Sequence, residues 1–210
     1  MIKVLIADDH TIVREGLKQI LADNPSIRVA GEASSGTEVI KKIQEKEFDV
    51  VVLDISMPGQ SGLDTLKQIK YMKPALSVLI LSMHPEEQYA IRSIKAGASG
   101  YLTKDSATEE LITAIQRISE GRRYITLSLA EKLAFALSAD TKKLPHEDLS
   151  DREYQVLCLI ASGHTVTQIS KKLSLSIKTV STYRSRLLAK MNMQNNSQIT
   201  HYAIKHDLVD

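Results

Sequence analysis

Apolar and polar residues follow two different patterns along the 210-residue chain. Up to about residue 120, short aliphatic runs such as Val50–Leu53 alternate with segments of helical apolar periodicity. Uninterrupted aliphatic runs are typical of parallel strands covered on both faces. The pattern predicts five strands, at Ile2–Ala7, Ile27–Gly31, Val50–Asp54, Val78–Ser82 and Ser99–Leu102. Alternation of strand and helix favours right-handed crossovers and an α/β fold, a flavodoxin-like, doubly wound, five-stranded parallel sheet.

Beyond residue 120 the pattern predicts helices only. Residues 121–148 are expected to form a linker, with a short amphipathic helix over Ser128–Leu137 and then a polar tether that contains Pro145. Four further helices are predicted at about 150–162, 165–173, 176–191 and 196–206. Ser150 and Glu153 have the spacing of a capping box at the start of the first. The expected domains are therefore 1–120, which is α/β, and 149–210, an all-α four-helix domain.

Composition is that of an ordinary globular protein, with 43% hydrophobic and 25% charged residues. The single cysteine, Cys158, lies in an apolar run and is expected to be a buried hydrophobic residue. One cysteine permits no disulfide within the chain, which fits a reducing compartment. The sequence has no long apolar span and no N-terminal signal pattern. A cytoplasmic protein without membrane association is therefore expected.

The formal net charge of +2 is unevenly distributed. Residues 1–120 carry 14 basic and 17 acidic side chains, whereas residues 121–210 carry 13 basic and 8 acidic ones. No acidic residue occurs between Glu153 and Asp207. Because a segment without carboxylates does not repel phosphates, a polyanionic partner is expected for the C-terminal half alone.

Polar residues occur at the ends of four predicted strands. Asp8 and Asp9 follow the first strand, Asp54 and Ser82 end the third and fourth, and Lys104 follows the fifth. Each one alone is typical of turn chemistry or of a surface charge, but ligands of such sheets collect at the carboxyl ends of the strands. Carboxylates held together need a hard cation such as Mg²⁺, and a nearby lysine suits an arriving phosphoryl group.

These residues resemble the motifs of response-regulator receiver domains over about residues 1–120. The matching positions are Asp8-Asp9, Asp54 followed by Met57-Pro58-Gly59, Ser82, and Lys104 after Gly100-Tyr101-Leu102. The family more often has threonine at position 82, and serine keeps the hydroxyl. The resemblance implies that Asp54 accepts a phosphoryl group from a sensor histidine kinase or a phosphotransfer protein.

The resemblance also implies a role for each neighbour of Asp54. Mg²⁺ or Mn²⁺ would be held directly by Asp9, Asp54 and the backbone carbonyl of Ser56, and by Asp8 mainly through water. Ser82 and Lys104 would bind the phosphoryl oxygens. Tyr101 alone is typical of a half-buried strand aromatic, but its pairing with Ser82 favours a switch role. His10 and His84 flank the site, where structural or solvated roles are more usual than metal ligation.

The C-terminal helices predict a helix-turn-helix. A short turn at Leu173–Ser176 separates two helices, and Ser176 is a suitable N-cap for the second. In that helix Ile177, Val180, Leu187 and Met191 form the predicted buried stripe. The opposite face carries Lys178, Ser181, Thr182 and Ser185, and its small polar residues permit close approach to base edges. The cations that can reach phosphates are Lys178, Arg184, Arg186 and Lys190.

Residues 147–208 resemble the LuxR/NarL/FixJ type of DNA-binding domain, and the Thr179–Arg184 stretch resembles its GacA/UvrY-like subgroup. The matching positions include Leu149–Glu153, Gly163, Ile169-Ser170 and Ser176–Val180. The chain departs from the family at Tyr183, usually histidine, and at Asn192, commonly glycine. The expected DNA contacts are Lys178, Thr179, Ser181, Thr182, Tyr183, Arg184, Ser185, Arg186 and Lys190.

Together the two resemblances imply a transcriptional regulator that dimerises when phosphorylated and binds paired half-sites in double-stranded promoter DNA. RNA polymerase is a further expected partner. Three alternatives stay open: a DNA binder that ignores phosphorylation, a protein-interaction module with a helical output, and a metal-dependent phosphatase. The last is disfavoured because Ser56 stands where such phosphatases often carry the general acid. No enzymatic turnover beyond slow loss of its own phosphoryl group is expected.

Overall fold

The computed structural model describes the chain except residues 84–85, 127–128, 132–143, 207 and 210, and the side chains of residues 86–88. It divides into two compact units, Met1–Leu133 and Ala134–Asp210. Most of the helix predicted over Ser128–Leu137 and part of the polar tether lie outside the described residues. Within the described parts of the chain, no helix combines the length and apolar character needed to cross a bilayer.

The first unit is a parallel sheet with helices between successive strands, as predicted. Its strands occur in the order β2-β1-β3-β4-β5, and every pairing is parallel. The elements are β1 (Ile2–Ala7), α1 (Thr11–Ala22), β2 (Ile27–Ala33), α2 (Gly36–Glu45), β3 (Val50–Asp54), α3 (Gly62–Met72), β4 (Ser77–Ser82), α4 (Glu86–Lys95), β5 (Gly100–Thr103) and α5 (Ala107–Ser119).

Aliphatic strand residues form the core of this unit. Val4, Val52 and Leu79 are completely or almost completely buried in one cluster with the inner faces of α1 and α5. Ser35 and Ser61 accept hydrogen bonds from backbone N–H groups in the first turns of α2 and α3, which sets where these helices begin. The carboxyl ends of the strands therefore lie together at one edge of the sheet.

The first residues of the linker add to the open edge of β5. The Tyr124 backbone N–H donates to the Ser99 carbonyl at 2.9 Å, and Tyr124 forms an isolated parallel bridge with Gly100. The Tyr124 hydroxyl lies 2.5 Å from a carboxylate oxygen of Glu110 in α5. The extended chain after α5 thus continues the sheet by one residue pair.

The second unit is helical, and its four predicted helices are confirmed to within one residue at each end. After a short 3-10 helix (Pro145–Asp148) come α6 (Asp151–Ala161), α7 (Val166–Lys172), α8 (Ile177–Lys190) and α9 (Asn196–Lys205). Ser150 and Glu153 form the predicted capping box, and Ser176 caps α8 as predicted. Cys158 is buried, also as predicted.

The predicted buried stripe on α8 was wrong at one position, Ile177. Val180 and Leu187 are completely buried and Met191 is 6% exposed, but Ile177 is 52% exposed. Side chains in a helix lean toward its N-terminus, so the first residue projects beyond the helix and not onto its packed face. Ile177 is therefore an exposed apolar residue beside Lys178.

Candidate functional site

Three carboxylates converge at the carboxyl edge of the sheet. Asp8 and Asp9 follow β1, and Asp54 is the last residue of β3, its neighbour in the sheet. The side chains of Asp8 and Asp54 are each 1% exposed, and that of Asp9 is 27% exposed. Strand order alone places these groups together, because β1 and β3 are adjacent and parallel.

Lys104 connects two of the three carboxylates. Its Nζ lies 2.6 Å from Asp8 Oδ2 and 3.2 Å from Asp54 Oδ2, and its side chain is 11% exposed. The Lys104 backbone N–H donates to the Ser82 carbonyl at 2.7 Å, which fixes the start of the loop after β5. The ammonium therefore lies inside the acidic cluster and faces Asp54.

Burial and charge act in opposite directions on this pair. Burial raises the pKa of Asp54, and the nearby Asp8 carboxylate adds to that effect, while the Lys104 ammonium opposes it without cancelling it. Burial alone would lower the pKa of Lys104, but the charges of Asp54 and Asp8 outweigh burial and raise it. Lys104 therefore remains protonated, while the negative charge on Asp54 is only partly compensated.

The acidic cluster fits a divalent cation. Asp9 Oδ1 is a buried oxygen without a hydrogen-bond partner among the described residues. The Ser56 backbone N–H donates to Asp54 Oδ1 at 3.2 Å, so the Ser56 peptide lies beside the carboxylate. Carboxylate and carbonyl oxygens are the donors that Mg²⁺ and Mn²⁺ prefer. Asp8, Asp9 and His10 each place one donor atom within 4.8 Å of the others.

Ser82 and Tyr101 lie on adjacent strands near this cluster. Ser82 is the last residue of β4, where it pairs with Thr103, and Tyr101 pairs with Ile80 two residues earlier. Both side chains are completely buried, so Tyr101 is more deeply buried than a typical half-buried strand aromatic. His84 lies outside the described residues. The structure thus places Ser82 at the carboxyl end of β4, on the side of the acidic residues, and Tyr101 within β5, two positions before the residue that pairs with Ser82.

Two supporting residues escaped the sequence reasoning. A Cβ on Gly62 would lie 2.1 Å from the Asp54 carbonyl oxygen and 2.6 Å from Ile55 Cα, so only glycine fits there. Arg14 Nη1 donates to the Asp8 carbonyl at 2.8 Å, and its Nε lies 3.2 Å from a Glu32 oxygen. Neither contact has a local sequence signal, because both join residues from separate elements.

The predicted DNA-contacting residues lie along α8 in the second unit. Lys178, Ser181, Thr182, Ser185 and Arg186 are exposed, and Thr179, Tyr183 and Arg184 are half-buried. The helix begins with a capped turn, in which Ser176 Oγ accepts from the Thr179 backbone N–H at 3.0 Å. The exposed face therefore presents small hydroxyl groups between two cations, without a carboxylate in the sequence from residue 154 to residue 206.

Two of the predicted phosphate-contacting cations already have protein partners. Lys190 Nζ lies 2.6 Å from Glu153 Oε2, which joins the end of α8 to the start of α6. Arg184 Nε donates to Asn196 Oδ1 at 2.7 Å, which joins α8 to the start of α9. Both contacts hold α8 against its neighbouring helices.

Two family models match the chain, one in each unit. Residues 4–116 match the response regulator receiver domain, and residues 147–203 match the bacterial regulatory proteins of the luxR family. The chain therefore belongs to the response regulators that carry a LuxR-type DNA-binding domain. It is a DNA-binding transcriptional response regulator of a two-component system, as the sequence predicted.

Similar proteins span both units. The chain is 38% identical to response regulator UvrY of Escherichia coli K12, over 99% of this chain and 96% of UvrY. It is 37% identical to response regulator GacA of Pseudomonas aeruginosa, over 100% and 99% of the two chains. The predicted subgroup is thereby confirmed. A structure of RcsB from Salmonella enterica serovar Typhimurium, bound to a promoter in the presence of phosphomimetic BeF3-, matches at 31% identity and a TM-score of 0.65, covering 96% of this chain and 97% of RcsB.

Proposed function

We propose that Asp54 accepts a phosphoryl group from the phosphohistidine of a sensor kinase or phosphotransfer protein. The observation that carries this proposal is the buried Asp54 carboxylate, 3.2 Å from the Lys104 ammonium that also contacts Asp8. A carboxylate oxygen of Asp54 attacks the phosphorus in line, the P–N bond breaks, and the electron pair returns to the imidazole. Lys104 then pairs with the phosphoryl oxygens, and Ser82 donates its hydroxyl to them.

The same site takes Mg²⁺ or Mn²⁺ in this proposal. Asp8, Asp9 and Asp54 supply carboxylate oxygens, and Ser56 supplies its backbone carbonyl. When bound, the ion supplies positive charge to the carboxylates and to the incoming phosphoryl oxygens. The buried Asp9 oxygen without a hydrogen bond supports this assignment.

Loss of the phosphoryl group is proposed to be slow. Hydrolysis of the acyl phosphate needs a positioned acid or base, and position 56, two residues beyond Asp54, is serine. Multiple-turnover phosphatase activity is therefore not proposed. The phosphorylated form would last long enough to act as a signal.

The second unit is proposed to bind promoter DNA through α8. Lys178 and Arg186 would pair with phosphates, while Ser181, Thr182 and Ser185 would approach base edges. Thr179 and Tyr183 would lie at the margin of this surface, and exposed Ile177 would suit a thymine methyl group. Because the target is chromosomal DNA, the place of action would be the cytoplasm.

Phosphorylation is proposed to control this binding through a dimer. One such domain reads only a few base pairs, so two copies on paired half-sites are needed for specificity. Movement of Ser82 toward the phosphoryl group would be transmitted through Tyr101 and β5. The proposed organisation is a receiver at 1–120, a linker at 121–148 and a DNA-binding domain at 149–210. RNA polymerase would be contacted by the dimer that is bound to DNA.

The test is selection of genomic DNA fragments by the full chain, with and without Mg²⁺ and beryllofluoride. We expect wild type with the mimic to enrich a two-part repeat, and Asp54→Ala to enrich none under either condition. Equal enrichment in every condition would instead support the alternative, a DNA binder that ignores phosphorylation. If no fragment is enriched at all, the DNA-binding proposal fails.

A further inference from the structure

Arg184 and Lys190, two cations of α8, have partners of different chemistry. Lys190 Nζ lies 2.6 Å from a carboxylate oxygen of Glu153, which compensates its charge. Arg184 Nε instead donates at 2.7 Å to Oδ1 of Asn196, which belongs to a neutral amide. The contact with Asn196 therefore orients the guanidinium without neutralising it, and its full positive charge stays available to a further partner.

The same contact leaves the end of the guanidinium free. An arginine side chain carries its N–H donors in a planar fork, with one on Nε and the others on the two Nη nitrogens. Among the described residues, no hydrogen bond or ion pair engages the Nη nitrogens of Arg184. Because Nε is occupied, the approach left to a phosphate is end-on, with one hydrogen bond from each Nη.

Arg184 projects to the opposite side of α8 from Arg186. Successive residues of an α-helix are turned by about 100°, so positions two apart differ by about 200°. The exposed residues Ser181 and Thr182 lie on the face between the two arginines, one turn closer to the start of the helix. A helix in the major groove has a sugar-phosphate strand on either side. The two arginines are thus placed to contact one strand each.

We propose that Asn196 is a positioning residue for DNA binding, which aims Arg184 at a phosphate on the strand opposite to the one that Arg186 contacts. This inference rests on the proposed binding of DNA through α8. It gives α9 a part in that binding, because Asn196 is the first residue of α9. A side chain that is oriented before binding loses less conformational entropy when it meets its partner.

Fluorescence anisotropy over a range of salt concentrations tests the proposal. The probe is a labelled duplex from the genomic selection described above, and the full chain is used with Mg²⁺ and beryllofluoride. We expect Arg184→Met to weaken binding about fivefold at physiological salt and to make the salt dependence shallower by about one phosphate contact. Asn196→Ala should weaken binding about threefold with little change in the salt dependence, because the cation is still present. Asn196→Ala should have no further effect when Arg184→Met is already in place.

Matched variants separate positioning from general damage. Ser197→Ala, at the next exposed position of α9, should bind DNA as wild type does. Asn196→Ala combined with Arg186→Met should give the product of the two separate losses, since Asn196 does not contact Arg186. Asn195 remains the N-cap of α9 in every variant, so the melting temperature should stay at the wild-type value.

Other outcomes overturn the inference. It fails if Asn196→Ala weakens binding equally with and without Arg184, or if affinity and melting temperature fall together, because Asn196 would then act only on the structure of α9. If Arg184→Met or Asn196→Ala binds as wild type does while Arg186→Met is weakened, the inference fails and the proposed DNA-binding surface stands. If wild type binds no duplex, both the proposed DNA binding and the inference are overturned.

Discussion

At the scale of single residues, Asp54 shows how the fold prepares a reactive group. A carboxylate that is 1% exposed, with a second carboxylate nearby, is held in its charged form at a cost. Lys104 reduces that cost without removing it. The remaining unfavourable charge is what a cation or a phosphoryl transfer would relieve.

This cost predicts that neutralising Asp54 increases the stability of the folded protein by an amount that depends on pH. Because the folded pKa is raised, protonated Asp54 contributes stability that is fully present below its ordinary pKa of about 3.9. That stability is lost as the pH rises through the raised pKa. Without divalent ions, Asp54→Asn should therefore raise the melting temperature by a few degrees at pH 7 and have little effect near pH 3.5.

Thermal unfolding by circular dichroism, with and without Mg²⁺, measures this effect. Added Mg²⁺ should narrow the difference, since wild type keeps its full set of carboxylate ligands. A lower melting temperature for Asp54→Asn at pH 7 in metal-free buffer would contradict the account of the buried charge.

At the scale of elements, the position of Asp54 depends on how α3 meets β3. The Gly62 backbone N–H donates to the Ile55 carbonyl at 3.0 Å, and the helix starts directly against the strand end. A side chain at position 62 would force the strand end and the helix apart. The packing of two elements, and not only the acidic residues, therefore defines the site.

Gly62→Ala should consequently damage both stability and the site. Inserting a methyl group against backbone atoms costs about 1–3 kcal/mol, and the displaced strand end should weaken beryllofluoride binding. Urea unfolding measures the loss of stability, and fluorine NMR measures the binding of beryllofluoride. Gly16→Ala in α1 is the matched control, because a Cβ there meets nothing within 4 Å. Equal behaviour of the two variants would show that the close approach at Gly62 is unimportant.

The contact between α6 and α8 predicts that Lys190 and Arg186, two cations of α8, differ in what they contribute to stability. Burial raises the pKa of Glu153, but the hydrogen bonds from Lys190 and Ser150 outweigh burial and lower it. Its stabilising contribution is thus present above pH about 4.3 and lost as the pH falls through the lowered pKa.

Lys190→Met should therefore reduce stability by about 1 kcal/mol at pH 7, a modest value because Lys190 is 43% exposed. This loss of stability should shrink toward pH 3.

Arg186→Met, at an exposed position, should leave stability unchanged and weaken DNA binding. The slope of the logarithm of the DNA-binding constant against the logarithm of the salt concentration should become shallower by about one. Melting curves and salt-dependent fluorescence anisotropy measure both variants. A loss of stability only in the Arg186 variant would reverse this assignment.

At the scale of the whole molecule, the sequence predicted the features that depend on local residue patterns, namely the strands, the helix starts and the position of the candidate site. Aliphatic runs located the strands, capping residues such as Ser150 and Ser176 located helix starts, and strand-end aspartates located the site. Asn192, where the family commonly has glycine, has φ of 53° and so occupies the left-handed conformation that glycine or asparagine favours.

Contacts between distant elements were beyond that reasoning. The ion pair of Lys190 with Glu153 and the close packing of Gly62 against the end of β3 both depend on tertiary structure. Ile177 was misplaced for a related reason, since periodicity does not say where a neighbouring surface ends. The sequence therefore predicts which groups meet at a strand edge more reliably than it predicts which partner each one takes.

The bridge between Tyr124 and Gly100 has a practical meaning for protein engineering. Sensor circuits are often rewired by grafting the input half of one regulator onto the output half of another. A graft cut after Glu120 would remove the backbone partner of Ser99 and the hydroxyl that contacts Glu110. A graft point after Thr126 retains both contacts, so chimeras of this protein should be joined there.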